Sequence, residues 1–168
     1  MFSIENLIRE RSFSPPSRPL EMDPLRENNA LQEAQLLDSR VCPLTSVAAL
    51  LFEMRTALQF KDGNAALLVV RNLHSFNWTS SSMETPFVAL TAVSSIPECE
   101  DNLFHMRLGF YLEAQLASAG NLTEFYLLDV EEISEAPPDY LDADQDGIYR
   151  ELPSWSSVCN LLQISSLN

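Results

Sequence analysis

Alternation of apolar and polar residues with a period of two is the feature that most constrains the fold of this chain. The pattern is clear where Leu50 and Phe52 alternate with Leu51 and Glu53. Successive side chains of a β-strand point to opposite faces, so this period is typical of a strand with one buried face. We therefore predict a first strand over residues 50–60.

A β-hairpin is predicted immediately after this strand. Asp62 and Gly63 form the dipeptide most typical of a tight hairpin turn. A two-residue turn at this point places Leu58 opposite Leu67. The return strand, from residue 65, is apolar on both faces at first, which predicts a position inside a sheet that is covered on both sides.

Similar patterns predict further strands over residues 87–93, 104–112 and 122–130. Strands that follow one another with short connections and no helices between them favour antiparallel pairing. We predict a mainly β (α+β) fold, built as an antiparallel sheet, a sandwich or a partly open barrel, with N-terminal and C-terminal helices.

Three helices are predicted near the chain ends. Ser3 is suited to cap a short N-terminal helix. Asp23 and Pro24 have the chemistry of an N-cap and a first helical residue, which predicts a helix over residues 23–39. A last helix is predicted after Ser154. Its apolar stripe consists of Trp155, Val158, Cys159 and Leu162.

The length of 168 residues is that of one ordinary domain. Prolines are frequent between residues 12 and 22, and no periodicity is present there, so this stretch suits an extended linker. We therefore predict an N-terminal arm with a Pro/Ser-rich linker over residues 1–22 and a single globular β-rich domain over residues 23–168.

The amino-terminal residues and the cysteines predict a cytoplasmic protein. The first residues contain charges and no continuous hydrophobic region, which is unlike a secretion signal. Cys42, Cys99 and Cys159 are odd in number and far apart, so three reduced thiols are expected. No apolar run approaches the length that crosses a bilayer, so no membrane association is predicted.

The net charge of −14 is concentrated in the last part of the chain. Residues 121–168 contain ten acidic residues and one basic residue, Arg150, a net charge of −9. Proteins that bind nucleic acid through phosphate contacts need clustered Lys and Arg. The charge therefore predicts no nucleic-acid partner.

Part of this acidic region matches a calcium-binding loop. Asp142, Asp144, Asp146 and Gly147 have the spacing of the first half of an EF-hand loop. The position that requires a bidentate glutamate is Pro153, which argues against a true EF-hand. Two interpretations stay open: a weaker calcium site on the three aspartates, and a solvated acidic turn shaped by Gly147. No cofactor is predicted.

The same region alternates carboxylates with aromatic residues, which we expect to be exposed. The aromatic residues are Phe125, Tyr126, Tyr140, Tyr149 and Trp155. On a surface that meets a basic protein, charge gives speed and register while aromatic residues supply anchoring energy. The predicted partner-binding residues are Asp139, Tyr140, Asp142, Asp144, Asp146, Tyr149, Glu151 and Trp155.

Catalytic motifs are absent from the sequence. It contains no GxGxxG, GxxxxGK[ST], GxSxG or HExxH pattern. We therefore predict a non-enzymatic protein, with an enzyme whose residues converge only in space as an alternative.

Three segments carry a resemblance to other proteins: ALLVVRNLHSFNW, EFYLLDVEEISEAPPDY and ELPSWSS. They resemble segments of small uncharacterised bacterial proteins of the immunity or interaction type. The resemblance implies a binding protein and carries over no functional residue. Together with the charge, it predicts an immunity-, inhibitor- or adaptor-like protein that engages a basic protein partner. The alternative is a calcium-dependent binding module.

Overall fold

The computed structural model describes residues 2–10, 22–81, 88–141 and 144–167. The chain forms an antiparallel sheet of eight strands that curls strongly into a half-barrel, with two short helices. The strands are β1 (Phe2–Ser3), β2 (Gln35–Cys42), β3 (Val47–Glu53), β4 (Ala65–Thr79), β5 (Ala92–Glu100), β6 (Leu103–Phe110), β7 (Gln115–Val130) and β8 (Val158–Leu167). The helices are α1 (Ile4–Arg9) and α2 (Gln145–Arg150). The predicted mainly β fold is confirmed.

Strand β7 organises the sheet because it pairs with three other strands. One edge of β7 pairs with β4 along almost its whole length, from Ala65↔Leu128 to Thr79↔Gln115. The other edge pairs with β6 over its first half and with β8 over its second half. Strand β4 in turn pairs with β3, which pairs with β2. Most of the sheet therefore depends on two long central strands.

The curl brings the two ends of the sheet together. The Leu36 amide donates to the Leu90 carbonyl at 3.0 Å, and the Ala92 amide donates to the Ala34 carbonyl at 2.8 Å. Gly120 lies next to a register shift between β4 and β7. A Cβ at Gly120 would lie 2.4 Å from Val70 Cγ1, so glycine allows the close approach that this bend requires.

The sheet buries an apolar cluster on each face. The cluster inside the curl joins residues of β3, such as Phe52, to residues of β6, such as Met106, which face each other across the interior. The cluster on the other face contains Leu51 and Leu67 and is covered by α1 and by Trp155. The prediction that the first half of β4 is buried on both faces is confirmed, since residues 65–71 are all buried.

The amino-terminal helix is confirmed. The amide and the hydroxyl of Ser3 both donate to Asn6 Oδ1, at 2.9 and 2.8 Å. Ile4 and Leu7 are fully buried against the sheet. Residues 2–10 of the predicted arm therefore pack on the same fold, whereas the predicted linker lies outside the described residues except for Met22.

The predicted helix over residues 23–39 is wrong. Residues 24–33 form turns and residues 35–42 form β2. Asn29 and Glu33 have φ values of 61° and 68°, which no α-helix accommodates. Pairing with β3 supplies the hydrogen bonds of β2, and this long-range partner overrides the local helical signal.

The predicted hairpin has the correct strands and the wrong register. Strand β3 ends at Glu53, residues 54–64 form the connection, and Leu51 rather than Leu58 pairs with Leu67. Met54 and Phe60 in this connection are buried in the core. Burial of these two apolar side chains favours the folded connection over a longer strand. Gly63 has a φ of 85°, so it does supply a left-handed turn residue.

The predicted helix after Ser154 is also wrong. Residues 158–167 form β8, which fills the edge that β7 leaves open beyond β6. An unpaired edge of that length would leave backbone groups without partners. The helix near the carboxyl end is α2 instead, and among the described residues no helix has the length and apolar character needed to span a membrane.

The remaining strand predictions differ mainly at their boundaries. The strand predicted over residues 104–112 is β6, and the one over residues 122–130 is the second half of β7. The strand predicted over residues 87–93 begins only at Ala92, and Phe87 lies outside the described residues.

Thr123 provides a test of the packing inside β7. Its side chain is fully buried, and its hydroxyl has no hydrogen-bond partner among the described residues. We expect Thr123→Val to raise the free energy of unfolding by about 1 kcal/mol, because the substitution keeps the shape and removes an unsatisfied polar atom. Urea denaturation measures the change. The exposed Thr79→Val is the control and should be neutral, and destabilisation by Thr123→Val would contradict this account.

Candidate functional site

A buried ion pair lies at the end of β3. Arg55 Nε and Nη2 donate to the two carboxylate oxygens of Glu53 at 2.8 and 2.6 Å. The Arg55 side chain is 4% exposed and the Glu53 side chain is 0% exposed. Two charges so deeply buried are tolerated only when they are paired and hydrogen-bonded.

Arg55 also holds the acidic part of the chain in place. Its guanidinium donates to the carbonyls of Ser134, Ala136 and Glu151, at 2.8, 2.9 and 2.8 Å. A guanidinium has five donors in a fixed plane, so one side chain can satisfy several acceptors at once. The segment after β7 and the end of α2 therefore meet at Arg55.

The segments that meet at this junction carry exposed carboxylates, which we call the acidic surface. They are Asp129, Glu131, Glu132, Glu135, Asp139, Asp144, Asp146 and Glu151. The first four line a cleft of about 590 Å³, together with Arg55 and Lys61. Part of the acidic surface is thus concave, and sequence reasoning missed Asp129, Glu131, Glu132 and Glu135 as candidate site residues.

The predicted site residues have different surroundings. Asp139, Asp144, Asp146 and Glu151 are exposed, whereas Asp142 lies outside the described residues. Tyr149 is 54% exposed. Tyr140 is half-buried. Burial raises the pKa of Tyr140, and the negative charge of Glu53 raises it further. The charge of the buried pair is therefore felt at Tyr140.

The expected exposure of three aromatic residues is wrong. Phe125 and Tyr126 are fully buried, and Trp155 is 7% exposed. The Trp155 indole donates to Asp38 Oδ2 at 2.7 Å, and the Arg40 guanidinium lies 4.5 Å from its ring centre. Trp155 covers the sheet, because a large apolar ring gains more from burial than from exposure. Leu141, which the sequence analysis did not single out, is an apolar residue among the carboxylates of the acidic surface and is 93% exposed.

One acidic residue of the predicted tract is buried and neutralised. Glu124 on β7 forms an ion pair with Arg71 of β4 and accepts a hydrogen bond from the Tyr126 hydroxyl. Burial and the hydrogen bond to Glu124 raise the pKa of Tyr126. Arg71 also donates to the carbonyls of Leu7 and Ile8, at 3.0 and 2.7 Å. This network attaches α1 to the sheet and leaves Glu124 out of the acidic surface.

The acidic turn is partly helical. Asp144 Oδ1 accepts a hydrogen bond from the Gly147 amide at 2.7 Å, so Asp144 is the N-cap of α2. Gly147 lies within α2, and the expectation that it shapes a turn is wrong. Within residues 2–10, 22–81, 88–141 and 144–167, no three His, Cys, Asp or Glu side chains form a group that could hold a metal ion.

We predict at most weak calcium binding by the loop. Pro153 occupies the place of the bidentate ligand, and the Asp144 carboxylate already caps α2. Isothermal titration calorimetry should give a dissociation constant of about 1 mM or weaker. Asp146→Asn should leave the titration unchanged. Micromolar affinity that this substitution removes would establish a calcium-dependent module instead.

The role of Arg55 in holding the acidic segment can be separated from its contribution to the stability of the fold. Arg55→Met leaves the buried Glu53 carboxylate without its cationic partner, with only the backbone amide of residue 55 still donating to it, and should lower the free energy of unfolding by about 3 to 5 kcal/mol. Replacing both residues by Met should recover most of that loss. Both variants should increase hydrogen exchange in residues 134–151, because the carbonyl contacts are lost.

Arg107→Met is the matched control for this experiment, since Arg107 forms an exposed ion pair with Glu98. Exposed pairs contribute about 0 to 1 kcal/mol, and the control should leave exchange in residues 134–151 unchanged. If Arg55→Met costs no more than Arg107→Met, the buried pair does not organise the acidic surface.

Comparisons with known proteins identify no family. No protein-family model and no curated protein matches the sequence. The chain is similar to the crystal structure of an uncharacterized protein from Neisseria gonorrhoeae, with a TM-score of 0.46 and 10% sequence identity. The similarity covers 59% of this chain and 94% of that chain. It agrees with the predicted resemblance to uncharacterised bacterial proteins, and a TM-score at this level supports no conclusion about function.

Proposed function

We propose that this chain is a non-enzymatic binding protein that engages a basic protein partner through its acidic surface. In this proposal it acts in the cytoplasm as an immunity-, inhibitor- or adaptor-like protein and binds neither nucleic acid nor membranes. The observation that carries the proposal is the junction at Arg55, where carbonyls from both halves of the acidic segment meet a single buried guanidinium.

This junction matters because carboxylates repel one another. A flexible acidic segment relieves that repulsion by spreading into solvent, whereas a segment attached to the sheet keeps its charges together. The attachment is itself costly, because it requires two buried charges. A concentrated negative surface that the fold maintains at this cost is well suited to attract a cationic partner.

The acidic surface also contains apolar side chains that can anchor a partner. Leu141 is 93% exposed and Tyr149 is 54% exposed, and both lie among the carboxylates. In protein interfaces, charges accelerate association and fix register, while buried aromatic and apolar residues account for most of the affinity. We therefore assign the anchoring role to Leu141 and Tyr149, with Tyr140 as a partly buried support.

The partner that this surface fits has a basic patch opposite a carboxylate-lined cleft. The cleft of about 590 Å³ has room for one or a few Lys or Arg side chains rather than for a folded element. Lys61 and Arg55 lie at the same cleft, but Arg55 is already neutralised by Glu53. The cleft therefore keeps a negative potential that favours inserted cations.

Two triple variants test the proposal. The cleft variant carries Glu131→Gln, Glu132→Gln and Glu135→Gln. The loop variant carries Asp139→Asn, Asp144→Asn and Asp146→Asn. Asn is as good an N-cap as Asp, so α2 should persist in the loop variant. Both should stay folded and lose a basic protein that the wild type retains from a lysate at low salt. The association rate of that protein with the wild type should fall steeply as the Debye length shortens.

The control variant removes the same number of charges elsewhere. Glu98→Gln, Glu100→Gln and Asp101→Asn lie on the hairpin between β5 and β6, away from the acidic surface. This variant should retain the same partner as the wild type. If all three variants lose the partner equally, only net charge matters. If the cleft and loop variants both retain it, the acidic surface is not the binding site.

A further inference from the structure

A second concave surface lies between α1 and the turn that joins β2 to β3. It is a groove of about 510 Å³. Ile8 of α1 and Val47 of β3 supply its apolar wall, and Arg71 lies at its base. The volume lies within the range of small-molecule sites, which are mostly apolar with a few polar groups.

Three arginines line this groove in a protein with a net charge of −14. Arg71 is committed to Glu124 and to two carbonyls of α1. Arg40 is 49% exposed, with its guanidinium resting on the Trp155 ring. Arg9 is exposed, and the described part of the chain offers it no hydrogen bond or ion pair. As far as the described residues show, two guanidiniums are therefore accessible to a ligand.

Glu5 is the acidic residue that lines the groove. Its carboxylate lies 3.4 Å from Arg40, a distance at the long end for an ion pair and one typical of weak surface pairing. The pair does not involve Arg9. The groove thus keeps an excess of positive charge next to an apolar wall.

We propose that this groove binds a small organic anion. The acidic group of the ligand lies between Arg9 and Arg40, and its apolar body packs on Ile8 and Val47. Carboxylates and phosphates both suit guanidinium donors, which bind either group with paired hydrogen bonds. The stacking of Arg40 on Trp155 favours binding, because a guanidinium already held in place loses less freedom when the ligand arrives.

Cys42 allows this proposal to be tested directly. Its thiol is exposed and lines the groove beside Thr45. A hydrogen bond with the Thr45 side chain lowers the pKa of Cys42. Cys99 is also exposed, but Glu98 and Glu100 flank it. Cys159 is buried, and burial raises its pKa to about 12, so it should not react in the folded protein.

The test compares an anionic with a neutral aromatic disulfide. Dithiobis(nitrobenzoate) carries a carboxylate on each ring, and dithiodipyridine carries no charge. In each reaction the Cys42 thiolate attacks one reagent sulfur, a new S–S bond forms, the reagent S–S bond breaks, and one aromatic thiolate or thione leaves. With the anionic reagent the thiol proton passes to solvent, and with the neutral reagent the ring nitrogen of the released thione takes up a proton in its place. The ratio of the anionic to the neutral rate then reports the local charge independently of thiol exposure.

We expect this ratio to be at least about tenfold higher at Cys42 than at Cys99. At high salt the ratios at the two thiols should approach each other, because salt screens the local charge. Proteins carrying Cys99→Ser or Cys42→Ser each keep one exposed thiol beside the buried Cys159, so they separate the two reactions. Equal ratios at the two thiols would overturn the proposal.

Charge substitutions in the groove should act in opposite directions. Arg9→Gln and Arg40→Gln should each lower the ratio at Cys42, whereas Glu5→Gln should raise it. Dividing by the rate of the neutral reagent corrects for local unfolding and for any change in the thiolate fraction, because both affect the two reagents alike. Arg150→Gln, outside the groove, is the matched control and should have no effect. If the ratio at Cys42 is the same in the wild type, in Arg9→Gln and in Glu5→Gln, the groove does not select anions.

Non-covalent binding is tested with phenyl phosphate and phenylacetate as competitors. Either one should slow the reaction of Cys42 with the neutral disulfide and leave Cys99 unaffected. Stronger protection by one of them identifies a phosphate or a carboxylate as the preferred acidic group. Benzyl alcohol, which has the same ring without the charge, should not protect. Equal protection by all three, or by none, would contradict an anion site.

Discussion

The pairing of β4 with β7 is the interaction on which the rest of the structure depends. The two strands have fifteen and sixteen residues and pair along almost their whole length, which is much longer than an ordinary strand. Such long strands cannot remain flat, because each residue adds right-handed twist and the register shift near Gly120 adds more. The half-barrel follows from this, with β6 and β8 sharing the far edge of β7 and β3 and β2 extending from β4.

Two buried arginines attach the peripheral segments to these strands. Arg71 joins Glu124 across the central pair and holds the end of α1 through two carbonyls. Arg55, just beyond β3, joins Glu53 and holds the segment between β7 and β8 through three carbonyls. In both cases a paired glutamate makes the buried cation tolerable, and the remaining donors satisfy backbone acceptors. Each network adds hydrogen bonds to the apolar packing of a peripheral segment, such as that of Leu7 in α1.

The two networks also determine which charges of the molecule are paired in the interior and which are exposed to solvent. Glu53 and Glu124 are neutralised inside, so the charge that reaches solvent near the carboxyl end comes from residues that Arg55 gathers around a cleft. On the α1 side, Arg71 is neutralised in the same way, and Arg9 and Arg40 supply the accessible positive charge of the groove. One fold thus presents a concave negative surface and a concave positive one, at the two segments that the buried arginines attach.

The sequence by itself determined the fold class, the positions of β4, β6 and the second half of β7, the capped helix at Ser3 and the concentration of charge after residue 120. These features follow from local patterns: a period of two, an N-cap, a count of carboxylates. Only the tertiary structure decided that residues 35–42 and 158–167 are strands, that the connection after Glu53 has eleven residues, and that Trp155 and Glu124 are buried. Each of these features depends on a partner that is distant in the chain. The partners are the open edge of β7, the edge of β3, a face of the sheet and the Arg71 guanidinium. No local sequence pattern indicates where such a partner lies.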